Sequence, residues 1–187
     1  MLINKSIYFV HIPRTGGRYV KELIKFNNHI CVLGDYIQWN NKEVSHLCFP
    51  DYEVFLNFLE CQKFTVVRDP VDRFVSGIVS DVRLNERTID KMLKSQESLN
   101  QYLNNIIYND LSNRYLPQIN FLNKDIKIYK YEEGFEENFF KWSLNNLQLK
   151  LEQSPEIILR RNEIDISNKQ KQYVENYYYK DYKLLKY

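Results

Sequence analysis

Glycine and proline are scarce, five of each in 187 residues, so the backbone has few places to turn sharply and an adjacent glycine pair marks a position of special need. Cysteine is scarcer still, at Cys31, Cys48 and Cys61. An odd number of thiols without C-x-x-C spacing, beside only three histidines, argues against a disulfide framework or a clustered zinc site. Buried thiols in a reducing compartment are expected instead. No run of about 18 apolar residues exists to span a bilayer, and the opening MLINKSIYFVHI is too short and too polar for a signal peptide. Neither sign of charge dominates: 26 Lys+Arg against 24 Asp+Glu leave a formal charge of +2. That balance argues against a broad nucleic-acid or membrane surface, so any anion site must be built from a few local cations. The expectation is a cytoplasmic protein with no nucleic-acid partner, no membrane span and no metal.

What is present is aromatic and patterned. Fifteen Tyr and eleven Phe supply a large apolar payload, and 187 residues suffice for one domain over residues 1–187 with a full core. Ile7 to Val10 and Phe64 to Val67 are short continuous apolar runs, as parallel strands covered on both faces require. Cys31 to Leu33 predicts another short strand, and Ile126 to Tyr131 alternates as a partly exposed one. Helical spacing recurs at Val20, Leu23 and Ile24; at Val54, Phe55, Phe58 and Leu59; and at Leu99, Tyr102, Leu103, Ile106 and Ile107. It returns at Phe135, Phe139, Trp142 and Leu147, and in a last helix from Ser167 through Tyr173, Val174, Tyr177, Tyr178 and Tyr182. Strands alternating with helices predict a three-layer α/β fold around a small central parallel sheet.

Two strand-to-helix junctions carry the chemistry. In FVHIPRTGGRYV, Phe9 to Val20, an apolar run meets paired glycines and a helical sequel. A Walker loop would need G-x-x-x-x-G-K-[ST], but Arg18 and Tyr19 follow Gly17, leaving no small hydroxyl for Mg²⁺. The loop therefore reads as an anion cradle without a metal partner. In KFTVVRDPVDRFVSG, Lys63 to Gly77, Asp69 suits a helix N-cap and Pro70 the first helical position, while Arg73 and Ser76 fall one turn apart. Helix N-termini at the carboxyl ends of strands are where α/β folds bind anions.

Taken together, these two stretches resemble the 3′-phosphoadenosine 5′-phosphosulfate (PAPS)-dependent sulfotransferases of the carbohydrate and heparan sulfate type. HIPRTGG resembles that family's 5′-phosphosulfate loop, commonly His-Ile-Pro-Lys-Thr-Gly-Gly-Thr, and RDPVDRFVS matches its 3′-phosphate motif, Arg-Asp-Pro-x-x-Arg-x-x-Ser, at every defined position. RYLPQINFL, IKIYKYEEGFEENF and YYYKDYKLLKY resemble, less specifically, later segments of the carbohydrate enzymes. The resemblance implies a P-loop-like sulfotransferase fold and a metal-independent transfer of a sulfuryl group from PAPS to a hydroxyl, expected on an oligosaccharide or polysaccharide, releasing adenosine 3′,5′-bisphosphate.

It also implies roles. Arg14 stands where most of the family has the catalytic Lys and is expected to neutralise the leaving group; because Arg keeps its proton, its part is electrostatic. Thr15, Gly16 and Gly17 are expected to wrap the 5′-phosphate with backbone N–H groups, while Arg18 and Tyr19 replace the usual small hydroxyls. Arg68 and Ser76 are expected on the 3′-phosphate, with Asp69 and Arg73 structural. For the general base, His46 precedes Arg68 by 22 residues, near the separation at which heparan sulfate 2-O-sulfotransferases place their histidine. A surface or core role for His46 stays open, as do Asp35, Glu43 or Asp51 as the base and Gln118 as an acceptor contact. Two other classes also stay open: a non-catalytic nucleotide- or glycan-binding module of the same fold, and a P-loop kinase.

Overall fold

The computed structural model describes residues 1–32, 38–40, 42–56, 60–81, 84–107, 113–155 and 164–187. Strand β1 (Leu2–Ile3) turns back through Asn4 and Lys5, both at positive φ, into β2 (Ile7–Val10), whose four residues are all buried. After helix α1 (Gly17–Phe26), β3 (Cys31–Val32) pairs with β1, and β6 (Gln62–Val67) and β7 (Ile126–Lys130) complete a five-stranded sheet in the order β3-β1-β2-β6-β7. A separate two-stranded ribbon joins β4 (Gln38–Trp39) to β5 (Lys42–Glu43).

The sheet is mixed, which corrects the all-parallel expectation. β2, β6 and β7 run parallel, with Phe9 opposite Phe64 and Val66 opposite Tyr129, but β1 is antiparallel to both its neighbours. A three-residue turn can only return the chain antiparallel, and here the turn is closed by Ser6 N–H on the Ile3 carbonyl at 3.1 Å. Asn-Lys lacks the glycine that usually announces such a hairpin.

Period-two alternation assigns each strand residue to a layer. Ile7, Phe9, Phe64, Val66 and Tyr129 face α1, through Val20, Leu23 and Ile24, and α6 (Glu137–Leu147), through Phe139 and Leu147. Tyr8, Val10, Val67 and Ile126 face the other way, onto Tyr52 of α2 (Asp51–Phe55), Phe121 and Leu185 of α8 (Tyr179–Leu185). The protein is thus α/β with helices on both faces of a small mixed sheet. A third apolar cluster joins α3 (Pro70–Ser80), α4 (Glu86–Met92), α5 (Gln96–Ile107) and α7 (Asn168–Tyr177) through Phe74, Ile78, Met92, Leu99, Leu103 and Val174.

Three local expectations need revision. The final helix begins at its Ser167 cap, in a capping box with Gln170, but breaks at Tyr178 into α7 and α8. Tertiary bonds fix the break: the Tyr178 hydroxyl donates to the Tyr115 carbonyl at 2.8 Å, and buried Asp181 accepts Gln118 N–H at 2.8 Å and Ile119 N–H at 3.0 Å. In α2 the apolar Val54 and Phe55 face solvent and Tyr52 is the buried residue, so the expected stripe is not the packed one; Phe58 and Leu59 lie outside the described residues, as do Leu33 of the predicted Cys31 to Leu33 strand and the Ile107 side chain. The three thiols are unpaired and half-buried rather than buried.

Burial raises the Asp181 pKa, against the two backbone bonds that favour its charge. Asp181→Ala leaves two N–H groups without acceptors and is expected to cost about 2–3 kcal/mol, read as a lower urea midpoint at unchanged slope.

Candidate functional site

The first junction lies between β2 and α1. Its backbone is tightly wound: Arg14 sits at φ 71° and Gly16, the N-cap, at φ 90°. A Cβ on Gly16 would lie 2.7 Å from the Phe135 ring, and one on Gly17 would fall 1.9 Å from two ring atoms of His11, so both glycines are required by close approach. The Thr15 hydroxyl is fully buried on the Ile12 carbonyl at 2.8 Å. Tyr19 is buried against Phe135, at 5.0 Å between ring centroids, with its hydroxyl 3.2 Å from Ser154 Oγ. The start of α1 has no side-chain cap among the described residues, so its first backbone N–H groups, Tyr19's among them, lack partners within the helix, and Arg18 reaches solvent beside them.

The second junction lies between β6 and α3. Asp69 caps the helix, accepting from Val71 N–H at 2.9 Å and Asp72 N–H at 3.0 Å, and Pro70 occupies the first turn. Gln118 is fully buried and brackets the Arg68 main chain, accepting its N–H at 3.0 Å and donating to its carbonyl at 2.7 Å. The Arg68 guanidinium lies over the Tyr131 ring, 4.5 Å from its centroid, and 4.0 Å from the Asp72 carboxylate, and its buried Nε has no hydrogen-bond partner among the described residues.

Two arginine side chains join the junctions. Arg14 donates through Nη2 at 2.9 Å and Nε at 3.2 Å to the Ser76 hydroxyl, across 62 residues of sequence. Behind it Arg73, 2% exposed, holds three carbonyls: Pro13 through Nε at 3.0 Å, Leu116 through Nη1 at 2.9 Å and Arg114 through Nη2 at 2.9 Å. Arg73 is structural, as expected, but its hold on both Pro13 and the segment from Arg114 to Leu116 was not legible in the sequence.

His46 ends a 3₁₀ turn (Val44–His46) and comes up against the loop through His11. Their rings are 4.5 Å apart, and His46 Nδ1 lies 3.1 Å from the His11 carbonyl. A carbonyl only accepts, so Nδ1 carries the hydrogen, and the second ring nitrogen, Nε2, lies 3.8 Å from the Glu43 carboxylate. Asp51 is engaged by Lys42 and Cys48, and Asp35 lies outside the described residues. Burial first, then the positive charges of His46, Lys21, the N-terminus and Arg14, holds His11 neutral far below its ordinary value. Burial also lowers the Arg14 pKa, with repulsion from Arg114, Arg18 and Arg68 adding to it. Four guanidinium groups thus share one field.

Beside the loop opens a cavity of about 620 Å³, lined by Tyr19, Tyr131, Gly134, Phe135 and three glutamates, Glu133, Glu136 and Glu137. Tyr131 connects it to the cations, since it also underlies Arg68 and packs on Gly16. Neither Tyr131 nor Arg114 was singled out by sequence reasoning, because a tyrosine among fifteen and an arginine outside both motifs carry no local signal. Among the described residues no group of three His, Cys, Asp or Glu is placed to hold a metal, and no helix is long and apolar enough to cross a membrane. Comparison with known protein families, with curated proteins and with solved structures finds no match to this chain.

Two outcomes follow from the packing. Arg73→Met strands three carbonyls and is expected to destabilise by more than about 3 kcal/mol in chemical denaturation. His11 is neutral when folded and regains its ordinary pKa of 6.5 when unfolded, so the unfolded chain binds more protons below that value. Its contribution to stability is complete above pH 6.5 and is lost as pH falls toward the lower folded pKa. The urea midpoint should drop between about pH 7.5 and pH 5, more steeply in the wild type than in His11→Gln.

Proposed function

We propose that the protein is a PAPS-dependent sulfotransferase of P-loop-like sulfotransferase fold, moving a sulfuryl group to a hydroxyl of a carbohydrate acceptor. The observation that carries this reading is the Arg14–Ser76 contact: the residues expected at the 5′ and 3′ ends of one donor are bonded to each other, so a single bisphosphate can reach both. The backbone N–H groups of Thr15, Gly16 and Gly17, with those at the start of α1, receive the 5′-phosphosulfate. Arg68 and Ser76 take the 3′-phosphate through a charge-assisted bond and a hydroxyl. The aromatic cavity at Tyr131 and Phe135 gives the purine a stacking surface.

In the reaction, the acceptor oxygen attacks sulfur in line as the bond from sulfur to the bridging oxygen breaks. His46 Nε2 takes the acceptor's proton, and Glu43 steadies the imidazolium that forms. The electron pair of the broken bond leaves on the bisphosphate, where Arg14 stabilises the charge as a fixed cation; no proton is transferred from it. Turnover is therefore a matter of placement and electrostatics, as in phosphoryl transfer.

The test is transfer from radiolabelled PAPS to a panel of glycans in the presence of EDTA. Arg14→Ala is expected to lower kcat about 10²–10³-fold and His46→Ala about 10²–10⁴-fold, whereas Arg68→Ala and Ser76→Ala raise the donor KM. Donor binding without transfer to any acceptor would favour a binding module, and Mg²⁺-dependent binding of ATP in preference to adenosine 3′,5′-bisphosphate would overturn the assignment.

A further inference from the structure

We propose that Arg114, outside both motifs, is a further anion-binding residue of this site, contributing its guanidinium to an oxyanion, phosphate or sulfonate, that also meets Arg14. This rests on the anion-binding part of the reading above and not on sulfuryl transfer itself.

The backbone at Arg114 is fixed to the loop. Arg73 donates to the carbonyl of Pro13, the residue before Arg14, and with the far end of the same guanidinium to the carbonyl of Arg114. One planar group a few ångströms wide therefore spaces the two main chains. The neighbouring carbonyls are taken as well, Tyr115 by the Tyr178 hydroxyl at 2.8 Å and Leu116 by Arg73 at 2.9 Å, so the segment is held at three consecutive residues. Direction is set by Asp81, the buried C-cap of α3, whose carboxylate lies 3.7 Å from Arg114 Nη1 and accepts from the Tyr115 hydroxyl at 3.4 Å. This lays the Arg114 side chain along α3, the helix that carries Ser76, with a quarter of that side chain still exposed. At 3.7 Å the contact with Asp81 is an ion pair longer than a hydrogen bond. Arg114 is among the positive charges, with Arg18 and Arg68, that add to the effect of burial in lowering the Arg14 pKa. Two guanidinium groups carried on backbones that Arg73 holds side by side repel each other, and an oxyanion that meets both converts the repulsion into two charge-assisted contacts.

The experiment is calorimetric titration of the full chain with adenosine 3′,5′-bisphosphate and with inorganic sulfate, for wild type, Arg114→Ala, Arg114→Met and Arg114→Lys, with thermal midpoints recorded. Arg114→Ala is expected to weaken both ligands about 10- to 100-fold, the worth of one charge-assisted bond. Methionine, which keeps the apolar stem, should lose as much, while lysine recovers part. Should bisphosphate binding hold and only the KM of sulfated or carboxylated acceptors rise, the oxyanion comes from the acceptor and the contact still stands. Unchanged affinities and KM values in all three variants, loss that merely follows a fallen thermal midpoint, or a wild type that binds none of the probes would overturn it. Arg114-dependent sulfate binding in a protein that ignores the nucleotide would sink the sulfotransferase reading and leave this one in place.

Discussion

The buried guanidinium of Arg73 is the constraint on which the site's geometry depends. A cation this far from water is unfavourable unless it is well hydrogen-bonded, and here three backbone carbonyls meet it, one from the loop after β2 and two from the segment before Gln118. Because the acceptors are main-chain atoms, the bonds fix where the loop after β2 and the segment before Gln118 lie relative to α3, whatever side chains those segments carry. Arg14 and Ser76 then meet as a consequence. Arginine suits this task better than lysine, since its planar fork addresses several carbonyls in directions that a single ammonium cannot.

Upon that frame sits an excess of positive charge assembled in a protein that is nearly neutral overall. Arg14, Arg18, Arg68 and Arg114 repel one another, and the means of holding them together are visible: Asp72 and the Tyr131 ring for Arg68, Asp81 for Arg114, the Ser76 hydroxyl for Arg14. Only Asp72 and Asp81 among these partners carry opposite charge. Burial of Arg14 strengthens the repulsion it feels from the other three, while Arg18 meets solvent. His11 belongs to the same economy, kept neutral where one more cation would raise the cost of folding.

Much of this architecture was legible in the sequence wherever the determinant was local. The apolar runs at Ile7 to Val10 and Phe64 to Val67, the Asp69-Pro70 helix start and the Ser167 cap fix elements that the structure shows at those places. What escaped depended on partners far along the chain. The break at Tyr178 is set by Tyr115 and Asp181 contacts, and the antiparallel β1 by a turn with no glycine in it. In the candidate site, motif spacing found Arg14, Arg68, Ser76 and a histidine that does reach the loop, but could not say that Thr15 and Tyr19 turn their side chains inward. Residue type at a motif position does not specify which way a side chain points when the core on one side is rich in aromatic rings.

The His11 ring occupies the space in which a side chain at position 17 would stand. Positions 11 and 17 are therefore one steric unit divided between a strand end and a helix start. The second cannot be enlarged alone: a larger residue there asks for a smaller one at the first, and a loop transplanted into another α/β scaffold would have to carry both. A search for similar sites is accordingly better framed as a pair, an imidazole matched to a missing side chain six positions later, than as a string of glycines.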